Sequence, residues 1–378
     1  MQTKDIAIIG GGIAGLTLAI SLRGSRFKCH IFEKESELKS DDSAIIMFPN
    51  ALRVFKKYGF MREVMDAGGA INQIYMKKDD GKIFAQTHPR YQLPPVCLHR
   101  KDLYATLIKH AEATFYTNHT LESFQNLPDG RVMLSFKNGA SKIFDALIGA
   151  DGLHSLVRQS IIGDGKPIFR GYNIWCGIAE ANAGSGYASE SYGKGKRVGI
   201  VPIQKGKCSW WATMNESFMA EDAPENTKQK LLDAFGNWHH PISELIEKTE
   251  RISKHSLCDR VTVTGWTKGN CTLIGDAAHP TTPNLGQGGC LAVEGAYILG
   301  EVIRKYGITD STFQRYETLQ FERAKSVVQA SRQLGEMGQL ENSIGVFFRN
   351  LILRFTPSRT TLQVVDKFFL YDVTAMNI

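Results

Sequence analysis

Residues 5–20 read DIAIIGGGIAGLTLAI, an apolar run that breaks into glycines and then resumes as a second apolar stretch. Residues 6–9 read as a buried strand and 13–20 as a helix packed back on it, with Gly10-x-Gly12-x-x-Gly15 between them. The first glycine permits the tight turn, the second lets the backbone approach a pyrophosphate, and the third lets helix and strand pack closely. Phosphates would sit at the helix N-terminus, where unpaired N–H groups and the helix dipole favour negative charge. Glycine-rich turns also close ordinary strand–helix units, so context decides. A second strand, residues 28–32, ends at Glu33, 23 residues after Gly10. That is near the roughly 20-residue offset at which a carboxylate grips a ribose 2′-hydroxyl. The glycines and Glu33 therefore read as the seat of an adenine dinucleotide.

A chain of 378 residues exceeds the size at which single cores stop growing, so two domains are expected. With 43% hydrophobic and 22% charged residues, the composition is that of a soluble globular protein, and no apolar run is long enough to span a bilayer. No signal-peptide pattern precedes the first strand. The seven cysteines, at 29, 97, 176, 208, 258, 271 and 290, are odd in number and show no C-x-x-C spacing. They argue against a disulfide framework and a zinc site, and for a reduced, cytoplasmic setting. The histidines show no ligand spacing either, so no metal is expected. The net charge of +7 comes from scattered Lys and Arg without a basic–aromatic stripe, which speaks against nucleic acid and for mild attraction of anionic small molecules.

Along the chain, Pro49 and Asn50 open an amphipathic helix that Gly59 ends. INQIYMKK and KIFAQTH flank the turn signal Asp80-Gly81, and RVMLSFKNGASKIFDALIGADG reads as a hairpin turning at Asn138-Gly139 whose second strand runs to Gly149. Between about 171 and 265, strand-like stretches rich in Trp and Tyr replace the alternation of strands and helices, and the rest is strand, glycine-rich loop and helix. The expected architecture is α/β: a discontinuous Rossmann-like dinucleotide domain (1–72, 96–170 and 265–320), an inserted mixed β-sheet substrate domain (73–95 and 171–264), and a C-terminal helical segment (321–378).

Three strand ends combine Gly with Asp: the first motif, Gly149-Ala150-Asp151-Gly152, and Gly275-Asp276. Ligands bind at such ends in open α/β sheets. In GDAAHPTTPNLGQGG, Asp276 is placed to accept hydrogen bonds from sugar or ribityl hydroxyls. The loop from Pro283 through Gly286, Gln287, Gly288 and Gly289 opens into a helix whose N-terminus offers N–H groups to an electron-rich ring edge.

These segments resemble the class A FAD-dependent monooxygenases related to para-hydroxybenzoate hydroxylase. The resemblance is carried by GGGIAG with Glu33, LHRKDLYATL around Arg100, DALIGADGLHSLVR around Asp151, and LIGDAAHPTTPNLGQGG around Asp276. GYNIWCGI and GKGKRVGIVPI look most like the urate hydroxylase and zeaxanthin epoxidase branch, with a more distant likeness to tetracycline-inactivating enzymes. The resemblance implies that Gly10, Gly12, Ala14, Gly15, Glu33 and Lys34 hold the ADP half of FAD and that Arg100 reaches its phosphates or ribityl chain. It places Asp276 on the ribityl, Pro283 to Gly289 on the flavin ring, and Asp151 with Arg158 towards NAD(P)H. No second dinucleotide fold is visible, in keeping with a nicotinamide that binds transiently. The chain departs from the family at Asp42-Ser43-Ala44-Ile45, where Gly-x-Gly-Ile is usual, at Gly295, where Asp is common, and at Arg323, which stands off from the usual place of an arginine after Tyr316-Glu317.

The activity so implied is hydroxylation of an aromatic or heteroaromatic small molecule with NAD(P)H and O2 through a flavin C4a-hydroperoxide, in a monomer or homodimer with no stable membrane insertion. Epoxidation, attack on a tetracycline-type polyketide, and a reductase that inserts no oxygen remain open alternatives. The pocket must exclude water, which suits Asn173, Trp175, Trp210, Trp211 and Met214 on the inserted sheet together with Pro283. His279 reads as structural beside the flavin and Cys290 as a packing residue, and no catalytic base is read from the sequence. The stretch 344–373, with Arg349, Arg354 and Arg359, reads as packing on the domain junction or at a dimer contact ahead of touching lipid.

Overall fold

The computed structural model describes residues 2–38, 43–181, 186–204, 206–218 and 224–378. Asp42, one of the departures from the family pattern, lies outside them. The run IAII forms the C-terminal four residues of the strand Lys4–Ile9 and is buried on both faces in a five-stranded parallel sheet. Its neighbours are Phe27–Phe32 on one side and Ala146–Gly149 on the other, with Ala113–Tyr116 and Cys271–Leu273 at the edges. The register pairs Ile9 with both Phe32 and Gly149, and Gly149 with Leu273. The three Gly/Asp motifs therefore leave the sheet at one level, side by side, although they are far apart in sequence. All ten residues of the helix Ile13–Leu22 are buried, because the helix lies between this sheet and the helix Gly288–Tyr306.

The hairpin at Asn138-Gly139 forms, but its second strand does not run unbroken to Gly149. Ser141–Phe144 pairs antiparallel with Val132–Phe136, while Ala146–Gly149 joins the parallel sheet. The switch falls at Asp145, whose carboxylate takes Lys4 Nζ at 2.7 Å and the Asp5 N–H at 2.8 Å. A carboxylate bonded to the neighbouring strand redirects the chain where hydrophobicity alone shows no break.

A seven-stranded mixed sheet is ordered Ser253–Asp259, Ile168–Glu180, Lys207–Asn215, Lys196–Pro202, Tyr187–Tyr192, Gln73–Lys78 and Ile83–Thr87. Only Tyr187–Tyr192 and Gln73–Lys78 run parallel within it. One face is sealed by the helices Pro224–Phe235 and Ile242–Lys248, around a core of Trp175, Trp210, Val198, Ile200 and Phe235. Those two helices are absent from the strand-only reading of this region. The other face meets the turn Pro283–Leu285 and, at Gln339, the end of the helix Asp310–Gly338. The helix Asp310–Gly338 is continuous, so no break occurs at 320/321, where the sequence reading divides the chain. It is followed by Ser343–Phe355 and Ser358–Phe369.

Candidate active site

The glycine motif divides its work by position. Gly10 has φ +109°, and a Cβ there would lie 2.3 Å from the Ala150 carbonyl oxygen, so both conformation and space demand glycine. A Cβ on Gly15 would lie 2.2 Å from the Gly10 carbonyl oxygen, which makes Gly15 the contact between helix and strand end. Gly12 differs. It is the N-cap of the helix Ile13–Leu22, has φ −78°, and receives no side-chain cap. Among the described residues nothing stands nearer to its Cβ position than the Tyr104 hydroxyl at 3.6 Å. The uncapped helix N-terminus and the open flank of Gly12 make a cradle for a phosphate.

Glu33 ties this loop to the next strand. Its Oε2 accepts the Gly11 N–H at 3.0 Å and its Oε1 the Lys34 N–H at 2.8 Å, leaving lone pairs on both oxygens for a ribose hydroxyl. Lys34 contributes that backbone N–H while its side chain is exposed. Asp276 sits in the turn Gly275–Ala277, which packs so closely on the first helix that a Cβ on Gly275 would lie 2.8 Å from Ala14 Cβ. The Asp276 side chain is exposed, yet surrounding protein raises its carboxyl above the usual range and the Arg100 charge draws it back. Exposure within dense surroundings describes the floor of a cleft. The cradle, the cleft carboxylate and the facing Arg100 fit an adenine dinucleotide with a polyhydroxyl chain.

The Pro283–Gly289 loop follows. Pro283–Leu285 is a short 3-10 turn closed by Gly286 at φ +66°. A Cβ on Gly289 would lie 2.7 Å from Ile45 Cδ1, whereas at Gly288 the nearest atom is Thr281 Cγ2 at 3.4 Å. The open side of this turn is therefore at Gly288. Behind it lies a buried polar network. Asn50 Nδ2 donates to Gln287 Oε1 at 2.8 Å and to Glu294 Oε1 at 2.5 Å. Arg323 binds Glu294 in fork geometry, Nε to Oε2 at 3.0 Å and Nη2 to Oε1 at 2.8 Å. The displaced arginine thus reaches the helix Gly288–Tyr306 that follows this loop.

Above the loop, the face of the seven-stranded sheet opposite its covering helices presents Tyr172, Arg197 and Trp211. Asn284 Nδ2 donates to the Tyr172 hydroxyl at 2.8 Å, and Arg197 Nη2 donates to Asn284 Oδ1 at 2.8 Å. Arg197 is also held by Glu190 at 3.0 Å and by Gln339 Oε1 at 2.8 Å. Its guanidinium lies 5.5 Å from the Trp211 ring centroid and 6.0 Å from that of Tyr172. Burial raises the Tyr172 hydroxyl above its usual range, so it acts as a hydrogen-bonding group and not as a base.

Comparison with known proteins agrees with this geometry. A family model described as FAD binding domain matches residues 3–331. The aurachin C monooxygenase/isomerase of Stigmatella aurantiaca is 34% identical over 363 residues, 93% of this chain and 94% of that protein. The chain belongs to the class A FAD-dependent monooxygenases. The 3-amino-4-hydroxybenzoate 2-monooxygenase of Streptomyces cremeus is 29% identical, covering 99% of this chain and 97% of that one. The structure of Klebsiella pneumoniae HpxO with FAD and uric acid superposes with a TM-score of 0.89 at 25% identity, over 97% of each chain.

Within this monooxygenase scaffold, several residues singled out in the sequence take other places. Trp175 and Trp210 are 0% and 1% exposed and, with Met214, pack beneath the two covering helices. They are core, not pocket wall, because strand residues alternate faces and these share the phase opposite to Trp211. Asn173 also points away from Tyr172, donating to Glu216 Oε2 at 2.8 Å. Asp151 accepts from Ser155 Oγ at 2.5 Å and from the Leu156 N–H at 2.8 Å, so it caps the helix Leu156–Ile161. Arg158, only 1% exposed, binds Asp164 and the Ala277 and Ala278 carbonyls, which makes it a strut beneath the Asp276 turn. His279 is buried, neither ring nitrogen has a hydrogen-bond partner among the described residues, and burial lowers its pKa to about 4. It is neutral at physiological pH. Cys290 is buried at the helix start and its thiol is raised to about 12, as befits a packing residue.

Arg197 and Tyr172 are not among the site residues read from the sequence, and Asn284 enters that reading only as part of the Pro283–Gly289 loop. Their signals were a lone arginine in the apolar run RVGIVP and an asparagine directly after Pro283.

Proposed function

We propose that this monooxygenase hydroxylates a planar aromatic or heteroaromatic small molecule, held between the Pro283–Gly289 loop and the sheet face bearing Tyr172, Arg197 and Trp211. The observation that carries the reading is the Arg197–Asn284 hydrogen bond at 2.8 Å, which joins a substrate-side cation to the ring loop. When bound, FAD supplies hydride acceptance from NAD(P)H and activation of O2. Gly12, Glu33, Lys34, Arg100, Asp151 and Asp276 keep their assignment to the cofactor side, Asp151 by capping the helix beside it. Arg197 favours an ionised hydroxyl or ring nitrogen and orients it, while Trp211 and Tyr172 give the apolar, water-excluding walls. The residues assigned to the site all come from one chain, which is compatible with a monomer or a homodimer. All seven cysteines are free, which supports a cytoplasmic setting.

The test is NADH and NADPH oxidation against a panel of hydroxybenzoates, aminohydroxybenzoates, urate and aurachin C, with peroxide measured and labelled O2 traced into product. Coupled turnover with one labelled atom per product supports the proposal, whereas NAD(P)H oxidation with no label incorporated would establish the reductase alternative. Arg197→Met should lower kcat/KM about tenfold or more through a charge-assisted contact while FAD content stays the same. Unaltered turnover in that variant removes Arg197 from the substrate site.

A further inference from the structure

The helix Ser343–Phe355 is mounted inside out. Its buried residue is Arg349, 3% exposed, which donates to the carbonyls of Gly338 at 3.1 Å and Gly193 at 3.2 Å. Its N-terminus is capped by Asn342, and just past its C-terminus Ser358 Oγ donates to the Gln86 carbonyl at 2.6 Å. Polar bonds therefore pin the helix to the protein along one side. The other side carries Ile344, Phe347, Phe348, Leu351, Ile352 and Phe355, spaced as a single helical stripe. All six are exposed, from 39% for Leu351 to 71% for Phe355. They are six of the thirteen exposed large apolar side chains among the described residues, so the apolar surface is concentrated here and not scattered. The stretch 344–373 is divided: Arg349, Phe368, Phe369 and Val373 are buried against the rest of the protein, whereas the apolar stripe of the helix Ser343–Phe355 faces outward.

Charge decides what covers it. From Asn342 to Val365 the chain has no carboxylate, while Arg354 and Arg359 are exposed at the C-terminal end. At the other end Lys194 Nζ reaches Ser343 Oγ at 2.9 Å. A parallel two-fold pairing with a second copy would set Arg354 and Arg359 against their own equivalents, and an antiparallel one would set them against an end that carries Lys194 as well as Glu341. Anionic headgroups complement the exposed Lys194, Arg354 and Arg359 at once.

We propose that the helix Ser343–Phe355 docks the enzyme on an anionic bilayer surface, lying in the interface with its apolar stripe among the acyl chains. Its 13 residues span about 20 Å, the reach of an in-plane helix, and no helix among the described residues is long and apolar enough to cross a membrane. Gln339, which holds Arg197, lies three residues before Asn342. The dock thus adjoins the substrate wall, and for the proposed hydroxylase it suits a substrate dissolved in lipid; that last consequence alone rests on the proposed function.

The experiment is flotation of the FAD-loaded enzyme with vesicles of phosphatidylcholine, alone or mixed with phosphatidylglycerol, at low and high salt. Wild type should float with the anionic vesicles and lose binding as salt rises. Phe347→Ser with Phe355→Ser should cut partitioning about tenfold or more with flavin content and circular dichroism unchanged, since neither side chain is in the core. Arg354→Gln with Arg359→Gln should weaken binding and flatten its salt dependence. Absence of flotation, or equal flotation of the serine variant, overturns the proposal. So does a wild-type dimer that the serine variant splits while no vesicle binds, which would make the stripe a contact between copies.

Discussion

Replacing Gly12 and Gly15 separately by alanine tests whether one glycine serves the ligand and the other the fold. At Gly15 the new methyl would stand 2.2 Å from the Gly10 carbonyl oxygen and 3.1 Å from Ile8 Cγ2, so helix and strand must part by more than an ångström. Overpacking of that kind costs about 1–3 kcal/mol, against which the better helix propensity of alanine returns up to ~1 kcal/mol. At Gly12 the backbone, φ −78° and ψ −175°, is open to alanine, and its nearest neighbour at 3.6 Å is an ordinary contact. The loss at the N-cap is about 0.5–1 kcal/mol, offset by about 0.4–1 kcal/mol from restricting the unfolded chain. Roughly 2–4 °C per kcal/mol then leaves the apoprotein Tm of Gly12→Ala within about two degrees of wild type, while Gly15→Ala drops further. FAD affinity should respond the other way at Gly12. A methyl in the phosphate cradle displaces the pyrophosphate and should weaken binding by at least about tenfold, or ~1.4 kcal/mol. Flavin is stripped from both variants, apoprotein melting is recorded, and FAD is titrated by fluorescence quenching. Unchanged FAD affinity in Gly12→Ala, or an apoprotein as destabilised as Gly15→Ala, would refute the division of roles.

Further outcomes follow from the same geometry. His279 binds its proton near pH 4 when folded and near pH 6.5 when unfolded; its contribution is full above ~6.5 and is lost as pH falls towards 4, by up to about 3 kcal/mol. Chemical denaturation across that window should show His279→Phe less acid-sensitive than wild type, and equal slopes would contradict a neutral buried imidazole. Breaking the Glu294–Arg323 pair with Arg323→Met should destabilise by roughly 3–5 kcal/mol, whereas adding Glu294→Met should recover much of it; additive losses in urea would show that the two do not act as a pair. Gly288→Val should keep the apoprotein folded, because among the described residues Thr281 Cγ2, at 3.4 Å, is the nearest atom to a Cβ there, but should block flavin reduction by NAD(P)H. Undiminished stopped-flow reduction would place the ring elsewhere.

The dinucleotide end of the molecule was legible from residue order because its constraints are local. Gly10 must adopt positive φ, Gly15 must lack a side chain, Pro49 must open its helix and Gly81 and Gly139 must close their turns, and each requirement is met within a few residues of chain. Family motifs extended that reading to Asp276 and the Pro283–Gly289 loop. Tertiary structure decided matters of phase and partner. Alternation shows that Trp210 and Trp211 face opposite ways but not which way is inward, and only the helices Pro224–Phe235 and Ile242–Lys248 place Trp210 in the core. Amphipathic spacing marks a stripe on the helix Ser343–Phe355 yet leaves its direction open, and the buried Arg349 turns that stripe outward. Arg197 meets Asn284 across 87 residues, and Arg323 meets Glu294 across 29. Backbone strain and capping act over a turn of chain and so are written in the order of residues, whereas the inward face of an element is set by whatever packs against it, which the chain brings from a distance.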